Sequence, residues 1–513
     1  MTQESRVKKS LLNARVNLIF YFLTLALSFF SRKIFLDCLG ADFVGLTGTL
    51  QNLLGFLNLA ELGIGSAIGY VLYKPLFDHD EAKINEIISV FGYLYRWIGR
   101  IILGAGCILA CFLPLIFPDT QFELGIIFFA YFAFLASSLI GYFANYKQTL
   151  LGADQKNYVV TAYFQTATIV KTLIQMASAY YTGSYYLWVV IELAFGIIYS
   201  FILNWKINQV YPWLRSEVKQ GKLLFKKYPE VMKYTKQLFV QKISATVQWQ
   251  TTPFLIYAFA NLKVVAFYGN YTIITDKISQ FINTFLESTS ASIGNLIAEN
   301  NIDKTKKVFW ELLSIRYLIG GIISFDIYML IEPFIAIWLD SKYILDHQIL
   351  ILITINIFIS YTRGGVMQFI YGYGLFYDIW ASIAEIIINL SIAIICGSIY
   401  GLKGVLLGGI TSQILIVGIW KPYFLFKKAF HENILVYWAN WIKFLFVILF
   451  PWISISYFTQ EFNIIEPNSF INWILYAIII TSLYSISSYL LMYITSQGMR
   501  RFTKRFINKI TIS

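Results

Sequence analysis

Apolar runs of roughly 20 residues recur from Val16 to Ile494, each long enough to cross a hydrocarbon core of about 30 Å. In lipid a backbone must satisfy its own hydrogen bonds, so repeated runs of this length specify membrane-spanning helices. Charged residues are 13% of the chain against 58% hydrophobic ones, too few to coat a soluble domain of 513 residues. The expected fold class is all-α integral membrane, with about 14 transmembrane helices. Spans are expected at 16–38, 43–73, 86–117, 122–146, 158–181, 185–206, 237–260, 264–298, 308–338, 348–372, 377–399, 402–424, 437–457 and 470–495. The first is read as a span rather than a cleavable signal, being too long and lacking a small-residue cleavage site.

The net charge of +12 does not point to nucleic acid, because the basic residues sit in short loops between spans. One side of the membrane collects Arg6, Lys8, Lys9, Arg15, Lys74, Lys83, Lys147, Lys156 and the basic stretch 206–242. It also collects Lys304, Lys306, Lys307, Lys421, Lys427, Lys428 and the tail Arg500, Arg501, Lys504 and Arg505. The other side holds only Lys263, Lys342 and Lys403. Positive charge resists translocation, so the rich side is expected to be cytoplasmic, with both termini inside.

A shift of about 221 residues brings the chain onto itself: Val44-Gly45 falls on Val265-Ala266, Gly48 on Gly269, Lys83 on Lys304, Ile87 on Val308 and, downstream, Gly152 on Gly372. The expected organisation is a lobe of about six helices over 1–210, a basic cytoplasmic linker over 211–236, and a second six-helix lobe over 237–430. Two further helices and a basic tail follow over 431–513. Six spans preserve sidedness, so the two lobes would be parallel repeats with a cavity between them and alternating access by rocking.

The stretch Leu59-Ala60-Glu61-Leu62-Gly63-Ile64-Gly65-Ser66-Ala67-Ile68, with Leu72-Tyr73-Lys74-Pro75-Leu76 after it, resembles the second helix of the Wzx-type polysaccharide flippases of the MOP superfamily. Arg363, Gln368, Gly374-Leu375-Phe376, Glu385 and Asn389-Leu390 resemble that family's helices ten and eleven. Gly401-Leu402-Lys403-Gly404-Val405-Leu406-Leu407-Gly408, with Trp420-Lys421-Pro422-Tyr423, resembles its twelfth. The resemblance implies a MATE-like fold of two six-helix bundles plus two helices. It implies translocation of undecaprenyl-diphosphate-linked repeat units of O-antigen, capsule or exopolysaccharide across the bacterial cell membrane. The implied partners are that lipid-linked substrate, the bilayer, a proton or sodium coupling ion and polysaccharide polymerase machinery, with no cofactor.

Ionisable groups within spans are expensive and invite a functional reading. The candidate pathway cations are Arg32, Arg96, Arg100, Lys171, Lys277 and Arg316. Arg96 and Arg100 lie one turn apart on one face, where two like charges call for water or a shared anion. A diphosphate leaving water needs such replacement of its hydration, and arginine binds phosphate bidentately. Glu61 and Asp276 are candidates for ion coupling, with a hydrogen-bonded structural role as the alternative for Glu61 and partial compensation by Lys277 for Asp276. Arg363 and Glu385 share a depth on consecutive helices and are expected to form a structural ion pair. Lys33, Glu192, Glu287 and Asp326 complete the intramembrane set, with snorkelling or structural pairing as the alternative throughout.

Cys107 and Cys111, one turn apart, read as packing residues; Cys38 and Cys396 lie near outer helix ends, and no metal spacing is present. His79, His347 and His431 fall in separate loops, which also argues against a metal or histidine-based site. Trp188, Trp249, Trp338 and Trp380 read mainly as interfacial belt. A membrane glycosyltransferase, polymerase or ligase would need a sizeable external loop or acidic constellation, and the loops here are short. The alternative within transport is a cation-coupled multidrug exporter of the same superfamily, disfavoured by cations that would repel cationic drugs.

Overall fold

The computed structural model describes residues 6–510 apart from 62–63, 119, 155, 288–292, 294–295, 298, 376–377 and 463–465, and among these no strand occurs. The principal helices are α1 (Arg6–Leu57), α2 (Ile64–Phe77), α3 (Glu81–Ala110), α4 (Leu124–Phe143), α5 (Asn157–Thr182) and α6 (Tyr185–Val210). They continue with α7 (Pro229–Phe259), α8 (Leu262–Glu287), α9 (Ile302–Trp338), α10 (His347–Gly372) and α11 (Ile379–Tyr400). Last come α12 (Leu402–Phe430), α13 (Leu435–Phe462), α14 (Phe470–Thr495) and α15 (Gln497–Ile510). Ten of them, α1, α3, α4, α6 and α9 to α14, are long and apolar enough to cross a membrane. The chain is a multi-pass helical membrane protein.

Among the described residues, each interval expected to span is mostly helical. The ten qualifying helices are fewer than the expected spans for readable reasons. Expected spans 16–38 and 43–73 meet inside α1 at Gly40, whose backbone (φ 84°, ψ 159°) lies in a region that essentially only glycine adopts. The helices α5 and α8 carry Lys171 and the pair Asp276-Lys277, which dilute their apolar character, and many side chains of α7 lie outside the described residues. Elsewhere the helices begin where a side chain caps the first turn: Asp80 accepts from the Lys83 amide at 2.9 Å and Asn301 from the Lys304 amide at 2.9 Å. The basic tail expected after the last span folds into α15.

The chain divides into two compact units, Met1–Ala266 and Phe267–Ser513. The first is packed around aromatic rings: Phe43 stacks on Tyr185 at 4.5 Å and meets Trp188 edge-on at 5.6 Å. In the second, Phe309 meets Phe369, Phe426 and Phe430, while Phe325 stacks on Tyr484 at 4.1 Å. The helices α11 and α12 approach closely because Gly404 and Gly408 face the α11 backbone; a Cβ on Gly408 would sit 2.6 Å from the Asn389 carbonyl oxygen. Within α12 two stretches are π-helical, Gln413–Trp420 and Phe426–Phe430. Many large apolar side chains point outward, Phe201 at 74% and Ile471 at 71% exposure among them, as a lipid-facing surface requires.

Candidate functional site

A cavity of about 830 Å³ lies inside the second unit, walled by α9, α10, α12 and α13. Its walls are aliphatic and aromatic: Tyr317 and Tyr328 from α9, Phe358 from α10, and Tyr437, Trp438, Trp441 and Trp452 from α13. Position sets this face of α13, because 437, 441, 445, 448 and 452 recur at three- and four-residue steps. Arg363 is the one charged side chain among the described lining residues. Glu385, its expected partner, is buried on the stripe of α11 that includes Asn389. No ion pair joins Arg363 to Glu385 among the described residues, and the guanidinium side of α10 faces the cavity.

The other candidate cations take different settings. Arg96 and Arg100 are exposed on α3, opposite its buried residues Tyr95, Ile98 and Ile102, and the Arg100 guanidinium lies 5.6 Å from the Trp97 ring centre. Lys171 is bound: its ammonium meets Glu192 at 2.7 Å, and the other Glu192 oxygen accepts from Gln175 at 3.1 Å. Gln175 also donates to the Trp188 carbonyl at 3.2 Å, tying α5 to α6. Arg32 is half-buried and donates to the Ala266 carbonyl at 2.6 Å. Arg316 is buried, donates to the Tyr361 carbonyl at 3.4 Å, and occupies the space that Gly364 and Gly365 leave open. Lys277 is half-buried beside Asp276, close enough for its charge to act on that carboxylate.

Glu61 closes a short 3-10 turn, Asn58–Glu61, between α1 and α2. The Tyr95 hydroxyl donates to its carboxylate, and Tyr142, with its ring 5.4 Å from that of Tyr95, donates to Asn58 at 3.0 Å. The Glu61 carboxylate is thus half-buried and held by a phenol from α3. Asp326 accepts from Thr481 at 2.8 Å, joining α9 to α14. The Glu287 and Trp249 side chains lie outside the described residues.

Several features lay beyond the reading of the sequence. Lys421, grouped above with loop charges, is instead buried within α12, with its ammonium 2.7 Å from Asp378. The Trp420 indole donates to the same carboxylate at 3.2 Å. Asn356 accepts from Gln413 at 3.2 Å, linking α10 to α12 by a polar contact between apolar faces. Mid-span asparagine and glutamine were the available signal for that contact. At the start of α10, Asp346 accepts from Lys403 at 2.7 Å and from the Gln348 amide at 2.8 Å, which together hold its carboxyl below the usual carboxylate range.

No protein-family model matches the chain, and no curated protein sequence does. Among solved structures the chain is similar to the lipid II flippase MurJ in an inward closed conformation, with a TM-score of 0.65 and 16% identity over 93% of this chain and 98% of that one. It is also similar to an inward-facing multidrug resistance MATE family transporter of the MOP superfamily, with a TM-score of 0.57 and 13% identity over 81% of this chain and 99% of that one. The chain shares the fold of these two structures.

Proposed function

We propose that the chain translocates a polyprenyl-diphosphate-linked oligosaccharide from the cytoplasmic to the outer face of a bacterial cell membrane, as a step in polysaccharide biosynthesis. The observation that carries this reading is the cavity of the second unit, where an apolar, aromatic wall meets one guanidinium, Arg363. That combination suits an amphiphile with a hydrocarbon chain and an anionic head, since arginine replaces the hydration of phosphate while the apolar wall takes the chain. The exposed Arg96 and Arg100 extend the same chemistry in the first unit. The organisation behind it is two six-helix lobes joined by the linker over 211–236, with two added helices, both termini cytoplasmic, and rocking between lobes. Outward movement is coupled to entry of a proton or sodium ion through Glu61 or Asp276. Of the six pathway cations, Arg96 and Arg100 keep that role most directly, while Lys171 and Arg316 are committed to neighbouring helices.

A second reading, a cation-coupled multidrug exporter, has the MATE likeness in its favour. A guanidinium in the cavity wall disfavours it, because it repels a cationic drug. The test is transport of an undecaprenyl-diphosphate oligosaccharide into proteoliposomes, beside ethidium export by the same preparation. Arg363→Ala, and separately Arg96→Ala with Arg100→Ala, are expected to lower glycolipid transport by about tenfold or more, as loss of a charged hydrogen bond implies, at unchanged membrane abundance. Unchanged transport in both variants, or ethidium export without glycolipid transport, overturns the proposal.

A further inference from the structure

The helix α15 has no acidic residue and carries Arg500, Arg501, Lys504, Arg505 and Lys509. It is not a free tail. A buried hydrogen bond of 2.7 Å joins Ser496 to Ser314, Met499 is 1% exposed, and Gly498 lies against the Trp310 carbonyl of α9. Tyr489 and Thr503 hydroxyls meet at 3.0 Å, and Arg505 pairs with Glu311. These contacts fix which face is left over, and that face displays Arg500, Arg501 and Lys504.

Lys443 of α13 lies eight residues past Leu435, about 12 Å along the helix, and its neighbour Phe444 packs against Trp310, whose carbonyl Gly498 of α15 abuts. Its neighbours Ile442 and Phe446 are 63% and 64% exposed, which makes this flank of α13 a lipid-facing one. Lys443 and Arg500 carry like charge, and neither side chain forms an ion pair among the described residues. Two cations at one end of an apolar surface repel, and an anion between them reverses the sign of the interaction. Lys443 lies two residues from both Trp441 and Leu445, about 200° around the helix from the face that lines the cavity. The pair therefore addresses the surrounding bilayer, whatever cargo the cavity holds.

We infer that Lys443 and the basic face of α15 bind the phosphate head group of an anionic phospholipid, anchoring the end of the second unit to one leaflet. The full-length protein in neutral detergent is titrated with short-chain phosphatidylglycerol and, separately, phosphatidylcholine, following binding and the melting temperature. Phosphatidylglycerol is expected to bind more tightly and to raise the melting temperature. Lys443→Gln with Arg500→Gln weakens that binding by about 30-fold, roughly fivefold for each cation. The same change leaves phosphatidylcholine binding unaltered, and Lys427→Gln with Lys428→Gln leaves both intact. Without lipid the Lys443/Arg500 variant melts no lower than wild type, because a repulsion has been removed. Equal binding of the two lipids, wild-type affinity in the double variant, or a lower melting temperature without lipid overturns the inference. Displacement of phosphatidylglycerol by equimolar undecaprenyl phosphate overturns it too, by assigning the pair to the substrate.

Discussion

Asp378 and Lys421 are each 7% exposed, so their energetics follow the rules of buried charge. Asp378→Leu leaves the ammonium buried without its counter-charge, and breaking a buried pair in this way costs about 3–5 kcal/mol. Lys421→Met strands the carboxylate instead. That carboxylate keeps the Trp420 indole and stands at the N-terminus of α11, whose dipole favours negative charge by up to about 1 kcal/mol. Its expected cost is correspondingly smaller, about 2–4 kcal/mol. Removing both charges also removes both desolvation penalties, so the double variant should lie within about 2 kcal/mol of wild type. The coupling energy is then about 3 kcal/mol or more, far above an exposed pair's. The four proteins are compared by unfolding in one detergent, reading the double-mutant cycle directly. Single costs that simply add, with coupling below about 1 kcal/mol, would refute the description of a dry, mutually dependent pair.

Other consequences are open to the same kind of check. Glu61→Gln keeps the Tyr95 contact and should preserve folding while abolishing any dependence of transport on ion gradients; gradient-driven transport in that variant would exclude Glu61 as the coupling group. Gly408→Ala forces α11 from α12 and should cost about 1–3 kcal/mol, seen as a lower melting temperature, whereas exposed Gly104, with open space around it, should tolerate alanine. The depressed carboxyl of Asp346 contributes stability that is present above the unfolded value of about 3.9 and is lost as pH falls through the lower folded value. Asp346→Asn should therefore flatten the fall in melting temperature below about pH 4, and an unchanged acid limb would argue against the Lys403 contact.

Depth in the membrane is legible in the sequence, and azimuth is much less so. Apolar run length placed the helices, because length against bilayer thickness needs no knowledge of neighbours. Arg363 and Glu385 share a depth, yet one faces the cavity and the other lies buried in α11, since helix rotation is set by packing. Lys171 and Glu192 share a depth as well, and there both rotations do converge. Arg316 could not be placed from its own position, because the room for it is made by Gly364 and Gly365 on another helix. Lys421 was misread for a related reason: a lysine near the end of an apolar run ordinarily belongs to a loop, and only the carboxylate of Asp378 lets it stay inside.

The π-helical stretch Gln413–Trp420 has a consequence for how this chain can vary in length. A π turn is what remains when an α-helix absorbs one extra residue without lengthening its register. Deleting one residue between 413 and 420 would restore ordinary winding and leave the downstream side chains on their present faces, whereas the same deletion in an α-helical turn would swing them by about 100°. Lys421 would still meet Asp378, and the aromatic residues after it would keep their seats against Phe309 of α9. Descendants of this sequence can therefore lose one residue from that stretch more easily than from the α-helical turns of α12.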